Sequence, residues 1–317
     1  MAILPATSEN LERAAEIIRS GGVVAFPTET VYGLGANAFD PIAVARIFEI
    51  KRRPSFDPLI VHVGSDAMLD RVADCIPARA RLLMERFWPG PLTIVLRKRD
   101  AVPALVTSGL PTVAVRMPAH PVARELIARA GVAVAAPSAN PFGRLSPTRA
   151  QHVQRMLGSS VDAIVDGGAT EFGLESTVVS LEPQPAILRP GAVVAEQLEA
   201  ALGLSFAPAG TATRPLAPGQ LPHHYAPRTP LRIVDFEDVP AQERVGAGIV
   251  TLSRRAAGYA QARRLSERGD LREAAARLFE TLHELDELGL RRIDVEPVGE
   301  AGLGAAIMDR LRRASCD

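Results

Sequence analysis

Between residues 26 and 35 the chain reads Phe26-Pro27-Thr28-Glu29-Thr30-Val31-Tyr32-Gly33-Leu34-Gly35, and further on comes Lys51-Arg52-Arg53-Pro54. A segment dense in hydroxyls and ending in two glycines can hold a small polar ligand. Lysine and arginine can hold a phosphate chain, arginine in bidentate fashion. Together they point to an enzyme that binds a nucleotide without a standard P-loop.

The same chemistry recurs further along. Thr112-Val113-Ala114-Val115-Arg116 reads as a strand with Thr112, Ala114 and Arg116 on one face. An arginine on a strand this apolar needs an anionic partner or an exit to solvent. Ser138-Ala139-Asn140 follows the most hydrophobic strand, and Ser146-Pro147 reads as a helix start whose free N–H groups favour anions. Glu175-Ser176-Thr177 and Leu188-Arg189-Pro190-Gly191 again put hydroxyls or a cation at strand ends. His62 lies inside Pro58–Val63, an apolar strand, where a lone histidine is more often structural than a ligand. Gly33-Leu34-Gly35-Ala36-Asn37-Ala38 matches the dinucleotide fingerprint in form only. That fingerprint needs glycines that open a helix directly, whereas Asp40-Pro41 opens the next helix later. The plain alternative is a turn with glycines at positive φ, and a third reading is that they let backbone approach a ligand held by Thr28, Thr30 and Tyr32. No catalytic triad, Cys/His metal cluster or Walker lysine is present. A cationic, hydroxyl-rich pocket without an obvious nucleophile suits nucleotidyl transfer, where positioning and charge stabilisation by Lys51 and Arg53 do most of the work and Mg²⁺ bridges phosphates.

The elements that must carry these residues alternate along an α/β chain. Helices are expected at 8–20 (Ser8 as cap), 42–50, 77–87, 121–130 and 147–157. Strands are expected at 23–26, 58–63, 92–96, 112–115, 132–135, 163–165, 176–181 and 186–188. The last two lie too close together for a helical crossover, which predicts a mixed sheet. Residues 207–230, rich in proline, read as a linker. Beyond it, strands at 231–236, 248–252 and 292–295 and helices at 270–288 and 302–314 make a small α/β domain, with Asp270 and Glu273 as a capping box. The expected division is 1–206, 207–230 and 231–317.

Composition bounds the function. The 317 residues are 47% hydrophobic, and 36 basic side chains balance 36 acidic ones. Attraction to nucleic acid is therefore not a whole-chain property, and any anion site is local. No signal peptide or membrane-length apolar run is seen, and the two cysteines, Cys75 and Cys316, form neither a metal motif nor a disulfide framework. A cytoplasmic protein is expected.

In their order, Pro27-Thr28-Glu29-Thr30-Val31-Tyr32-Gly33-Leu34, Lys51-Arg52-Arg53-Pro54, Ser138-Ala139-Asn140, Ser176-Thr177-Val178-Val179 and Leu188-Arg189-Pro190-Gly191 resemble the YrdC/Sua5 family over roughly residues 8–203. Pro218-Gly219 and His224-Tyr225-Ala226-Pro227 resemble the linker of its longer, Sua5-type branch. The resemblance implies a YrdC-like twisted mixed sheet with helices, then a linker and a small Rossmann-like α/β domain. It implies synthesis of threonylcarbamoyl-AMP and pyrophosphate from L-threonine, bicarbonate and ATP with Mg²⁺, for modification of adenosine 37 in tRNA by a downstream transferase. By position, Thr30, His62, Arg116 and Thr177 match residues that hold threonine, with Tyr32 and Ser176 beside them. Lys51, Arg53, Thr112, Ser138, Asn140, Ser146 and Arg189 match the ATP side, and Tyr225 a linker residue that reaches over the nucleotide. No metal ligand is expected from protein side chains. Asp57 stands where the family usually has asparagine, a carboxylate that would repel triphosphate unless Mg²⁺ or Arg53 intervenes, and Gln220-Leu221-Pro222 departs from the usual linker. Carbamoyl transfer in hydrogenase maturation is a rival that needs a longer, cysteine-richer chain. An RNA-binding module is a second, which the neutral charge opposes; no membrane and no stable nucleic-acid partner is expected.

Overall fold

In the computed structural model, which describes residues 3–208 and 215–315, the first half of the chain wraps helices around one long sheet. The elements run β1 (Ile3–Pro5), α1 (Ser8–Arg19), β2 (Val24–Pro27), β3 (Tyr32–Asn37), α2 (Pro41–Lys51), β4 (Ile60–His62), α3 (Asp66–Val72) and β5 (Ala73–Asp74). Next come α4 (Ala78–Phe87), β6 (Leu92–Lys98), β7 (Thr112–Arg116), α5 (Pro121–Ala130), β8 (Val134–Ala135) and α6 (Ala150–Leu157). Then follow β9 (Ala163–Asp166), β10 (Thr177–Ser180), β11 (Ala186–Arg189), α7 (Ala195–Leu202) and β12 (Ala207–Pro208). The strand order is β1-β9-β2-β3-β8-β4-β7-β6-β10-β11-β12, with β5 on β6. Parallel pairs such as β4·β7 mix with antiparallel ones such as β2·β3 and β10·β11, so the sheet is mixed as the short connections required.

The second sheet belongs to β13 (Leu231–Ile233), α8 (Ala241–Arg244), β14 (Ala247–Thr251), β15 (Gln261–Arg264), α9 (Leu271–Asp286), β16 (Arg292–Val295) and α10 (Leu303–Ala314). Its order is β13-β16-β14-β15, and every pair is parallel. Its core draws in Val31, Leu145, Leu174 and Tyr225 from earlier in the chain, so the two halves share apolar surface. Gly173, at φ +66°, permits this close approach. A Cβ there would meet the Ala276 carbonyl oxygen at 2.4 Å, in the middle of α9.

Several local expectations are corrected. Thr7, not Ser8, caps α1 by accepting from the Asn10 N–H. The helix expected from Ser146-Pro147 begins only at Ala150, and Pro147 instead accepts from Tyr32 N in extended chain. Gly33 and Gly35 lie inside β3 and not in a turn; neither has positive φ, and a Cβ on Gly35 would meet Phe26 at 2.6 Å and Val134 at 2.7 Å. The capping box is half formed. Asp270 accepts from the Arg272 and Glu273 amides, but the Glu273 carboxylate takes the Ser266 hydroxyl. Strands β1 and β15 were not foreseen; β15 is an edge strand of polar sequence that gives no alternating signal. Cys75 is an exposed free thiol, and Cys316 and residues 209–214 of the linker lie outside the described residues.

Candidate active site

The ends of β3, β4, β7, β10 and β11 meet at a cavity with ≈ 490 Å³ of empty space, part of it open to solvent. Thr28, Thr30, Val31, Gly33, His62, Arg116, Ser138, Glu175, Ser176, Arg53 and Arg189 line it, and Pro218, Gly219, His224 and Tyr225 of the linker close it.

One end is built by the segment after β2. Thr28 Oγ1 accepts from the amides of Thr30 (3.2 Å) and Val31 (3.3 Å), which locks the turn and aims Thr30 inward. Arg116, at the end of β7, donates to Thr30 Oγ1 at 2.9 Å and to the Gly90 carbonyl at 3.2 Å. Its anionic partner is Glu29, 2.6 Å away. Burial pushes the Glu29 carboxyl up, but the Arg116 charge and hydrogen bond outweigh it and hold the group below the usual range. His62 stands beside this pair. Burial, and then the Arg116 charge, depress its pKa to about 3, so the ring is neutral.

The other end gathers cations. Lys51 closes α2 and is 1% exposed; its ammonium donates to the Ser138 carbonyl at 2.6 Å and to the Asn140 carbonyl. Arg52 takes the left-handed cap conformation, φ 52°, between two buried cations: Arg53 lines the cavity, and Lys51 stands behind Ser138. Arg53 donates to the carbonyls of Asp57 (3.0 Å) and Pro58 (2.8 Å) and pairs with the Asp57 carboxylate at 2.8 Å. Asp57 thus neutralises a cation and does not face the cavity as a free carboxylate. Arg189 donates to the Ser176 carbonyl (3.0 and 3.1 Å), the Ser176 hydroxyl (3.1 Å) and, across to the linker, the Pro218 carbonyl (3.2 Å). Burial lowers the pKa of Lys51, Arg53 and Arg189 alike.

Other expected residues stand behind the wall. Asn140 donates to the Pro141 and Arg144 carbonyls, both at 2.9 Å, and shapes the loop under Ser138. Ser146 gives its hydroxyl to Glu175. Tyr32 faces away, its hydroxyl 2.8 Å from the Gly168 carbonyl, because strand alternation turns Val31 and Gly33 toward the cavity. Thr177 likewise turns from Ser176 and donates to the Val193 carbonyl at 2.6 Å. Thr112 lies at the opposite end of β7 from Arg116 and does not line the cavity.

Phe142 and Arg310 were not foreseen, and Glu29, Glu175 and His224 lay in motifs that gave them no individual role. Phe142 meets the His224 ring edge-on at 5.7 Å, and His224 meets Tyr225 at 4.1 Å, so three aromatic rings border the cationic end. Arg310 comes from the last helix and pairs with Glu175 at 2.8 Å. One signal was available: Arg310 falls on the apolar face of α10 with Ala306, Ile307, Leu311 and Ala314. Gly219, at φ +85°, permits linker closure; a Cβ there would meet the Tyr225 hydroxyl at 2.7 Å and Arg189 Cδ at 2.8 Å.

Around this cavity five cations (Lys51, Arg53, Arg116, Arg189 and Arg310) face three carboxylates, Glu29, Asp57 and Glu175. His62 Nδ1, Asn140 Oδ1 and His224 Nδ1 are buried without an aligned hydrogen-bond partner. Such groups are costly unless a ligand completes them. The arrangement fits an anion at the Lys51–Arg53–Arg189 end and a small carboxylate-bearing molecule near Arg116.

Residues 16–191 match the family model Sua5_yciO_yrdC, described as "Telomere recombination". The chain belongs to this family. Residues 193–316 match a second model, the C-terminal domain of threonylcarbamoyl-AMP synthase, which marks the Sua5-type, two-part form of the YrdC/Sua5 family. The threonylcarbamoyl-AMP synthase of Pyrococcus abyssi is 44% identical over 315 residues, covering 95% of this chain and 93% of that one. That of Bacillus subtilis is 41% identical over 327 residues, covering 98% and 94%. The crystal structure of P. abyssi Sua5 complexed with L-threonine superposes with a TM-score of 0.92 at 40% identity, covering 99% of this chain and 98% of that one. The YrdC/Sua5 fold is thus present through both sheets.

Proposed function

We propose that the cavity closed by the linker is where this chain makes threonylcarbamoyl-AMP. The chain is a threonylcarbamoyl-AMP synthase, a nucleotidyltransferase that supplies the modification of adenosine 37 in tRNA. Its substrates are L-threonine, bicarbonate and ATP, and a separate transferase consumes the product. The observation that carries the site assignment is the buried surplus of cations gathered beside unsatisfied polar atoms under one segment of linker.

In this reading Arg116 and Thr30 receive the threonine carboxylate, and neutral His62 faces its hydroxyl. The threonine amine attacks bicarbonate and water departs, leaving an N-carboxylate. A carbamate oxygen then attacks the α-phosphorus of ATP as the bond to the β-phosphate oxygen breaks and pyrophosphate leaves. Lys51, Arg53 and Arg189 offset the charge that moves onto the leaving group. Ser138, Ser146, Ser176 and Asn140 fix the walls, and Tyr32 and Thr177 support them from behind. Mg²⁺ enters as part of the ATP substrate. Glu29, Asp57 and Glu175 are each committed to an arginine, which leaves the phosphates as its main ligands.

The chain divides into 1–206, 207–230 and 231–317, the middle segment acting as a lid. Tyr225, 1% exposed, lines the cavity and shields the carbamate from water. No helix among the described residues is long and apolar enough to cross a membrane, in keeping with a cytoplasmic enzyme.

The test is pyrophosphate release from ATP that depends on both threonine and bicarbonate, with the adenylate identified by mass. Salt-sensitive RNA binding without turnover would instead favour the RNA-binding alternative. Tyr225→Ala is expected to fold, bind threonine and lose product yield. Unchanged yield would remove the lid role.

A further inference from the structure

Arg310 is the largest fully buried side chain among the described residues, and it does not belong to the half of the chain that carries the cavity. From α10 it enters the wall behind the linker. Its Nε donates to Glu175 Oε2 at 2.8 Å and its Nη1 to Asp309 at 2.6 Å. Its guanidinium carbon lies 5.0 Å from the centre of the Tyr225 ring, within cation–π reach, and its Nη2 is buried without a hydrogen-bond partner. Glu175 in turn lines the cavity, accepts the Ser146 hydroxyl, and acts electrostatically on Lys51 and Arg189.

An arginine this buried is an expensive way to join two halves of a chain. Exposed pairs such as Arg272–Glu171, at 2.6 Å, already bridge the same junction without desolvating a charge. Arg310 reaches both a carboxylate in the wall of a cationic cavity and the ring that closes it. Without Arg310, Glu175 would be a buried anion facing the place where an anionic ligand binds, and Tyr225 would keep Phe279 beside its ring but lose its cation.

We propose that Arg310 is a positioning residue for the nucleotide. The second domain supplies the cation that neutralises Glu175 and holds Tyr225 in place, so the ATP site is complete only with α10 docked. This rests on the functional reading above. It gives the second domain a part in substrate binding besides anchoring the linker, and it predicts a selective defect. ATP binding suffers through repulsion from uncovered Glu175, whereas the threonine end, built on Thr30, His62 and Arg116, does not.

The experiment uses the full-length chain and measures both KM values by pyrophosphate release, with thermal melting as a check on folding. Arg310→Met is expected to raise KM for ATP about tenfold or more and to leave KM for threonine within about threefold. Arg310→Met/Glu175→Gln removes the uncovered charge and should recover most of the ATP defect, a coupling that a merely structural role would not give. Arg310→Lys keeps the charge and should fall between wild type and Arg310→Met. Equal rises in both KM values, an unchanged KM for ATP, or no recovery in the double variant would each overturn the inference. Should Arg310→Met fail to fold, Arg310→Lys and the double variant decide by the same ratio of KM values. A wild-type chain without threonine-dependent pyrophosphate release would overturn the functional reading itself. An active wild type with an indifferent Arg310→Met overturns this inference alone.

Discussion

Arg116 offers the sharpest test of the threonine end, because its structural and binding roles can be pulled apart. The guanidinium is 3% exposed and pairs with Glu29 at 2.6 Å. Arg116→Met alone leaves a buried carboxylate unpaired, which costs about 3–5 kcal/mol. At about 2–4 °C per kcal/mol, Tm should fall by roughly 6–20 °C. Arg116→Met/Glu29→Gln removes both charges and should recover most of that loss. The binding role does not recover. Losing one charge-assisted contact of about 1.5–3 kcal/mol should raise KM for threonine roughly ten- to a hundredfold in both variants, with KM for ATP little changed. pH adds a check with a definite sign. The folded-state pKa of Glu29 lies below its ordinary 4.5, so the pair's stabilisation is fully present above that value and is lost as pH falls through the folded pKa. The Tm gap between wild type and Glu29→Gln should therefore be constant near neutrality and shrink in acid. If the double variant regains wild-type affinity for threonine, or if both KM values rise together, Arg116 is a structural arginine and the threonine site lies elsewhere.

Two further outcomes follow from the same geometry. Arg189→Ala loses its links to Ser176 and to the Pro218 carbonyl together with a phosphate contact, so kcat/KM should fall at least ten- to a hundredfold, from about 1.5–3 kcal/mol. Its linker should also be cut faster by protease without ATP; wild-type turnover would remove Arg189 from the site. The buried histidines His62, His152 and His283 have pKa values pushed down to about 3, 3 and 4, chiefly by burial. The unfolded chain takes up their protons first, so stability should decline below about pH 6.5, by about 1.4 kcal/mol per pH unit for each histidine. His152 stacks on His283 at 4.0 Å. In urea titrations at pH 7, 6 and 5, His152→Phe should lose stability more slowly than wild type, and parallel losses would refute the assignment.

Much of the fold was legible because the strongly patterned segments are also the ones that pack. The α2 start at Asp40-Pro41, the apolar strand that ends in Arg116, and the close strands β10 and β11 follow from capping, alternation and spacing. What escaped depends on partners distant in sequence. Strand β15 has a polar edge sequence and exists through pairing with β14. Tyr32 and Thr177 sit in motifs whose neighbours line the cavity, and only the pleat decides which of them points inward. Glu29 was visible as a residue but not as the partner of Arg116, which is far along the chain. Asp57 is the contrary case. A carboxylate near triphosphate repels it unless Mg²⁺ or Arg53 intervenes, and in the fold Arg53 lies 2.8 Å from it.

The lid reading also constrains how product leaves. Residues 215–226 are held by Arg189 to the Pro218 carbonyl, by Arg313 to the Leu221 carbonyl, by His224 N to the Arg313 carbonyl, and by Ala226 N to the Gly143 carbonyl. At about 0.5–1.5 kcal/mol net for each such bond, the four contribute about 2–6 kcal/mol to the closed state. Burial of Tyr225 and its ring contacts with Arg310 and Phe279 add to that. Two of the four attachments end on Arg313, one turn from the Asp309–Arg310 pair, so the helix that neutralises Glu175 also fastens the lid. The first sheet supplies the other two, through Arg189 and the loop at Gly143. A ligand that gathers Arg189 and Tyr225 onto itself strengthens closure from the inside. Once pyrophosphate and the adenylate part, that reinforcement goes, and the segment is held by its own attachments alone.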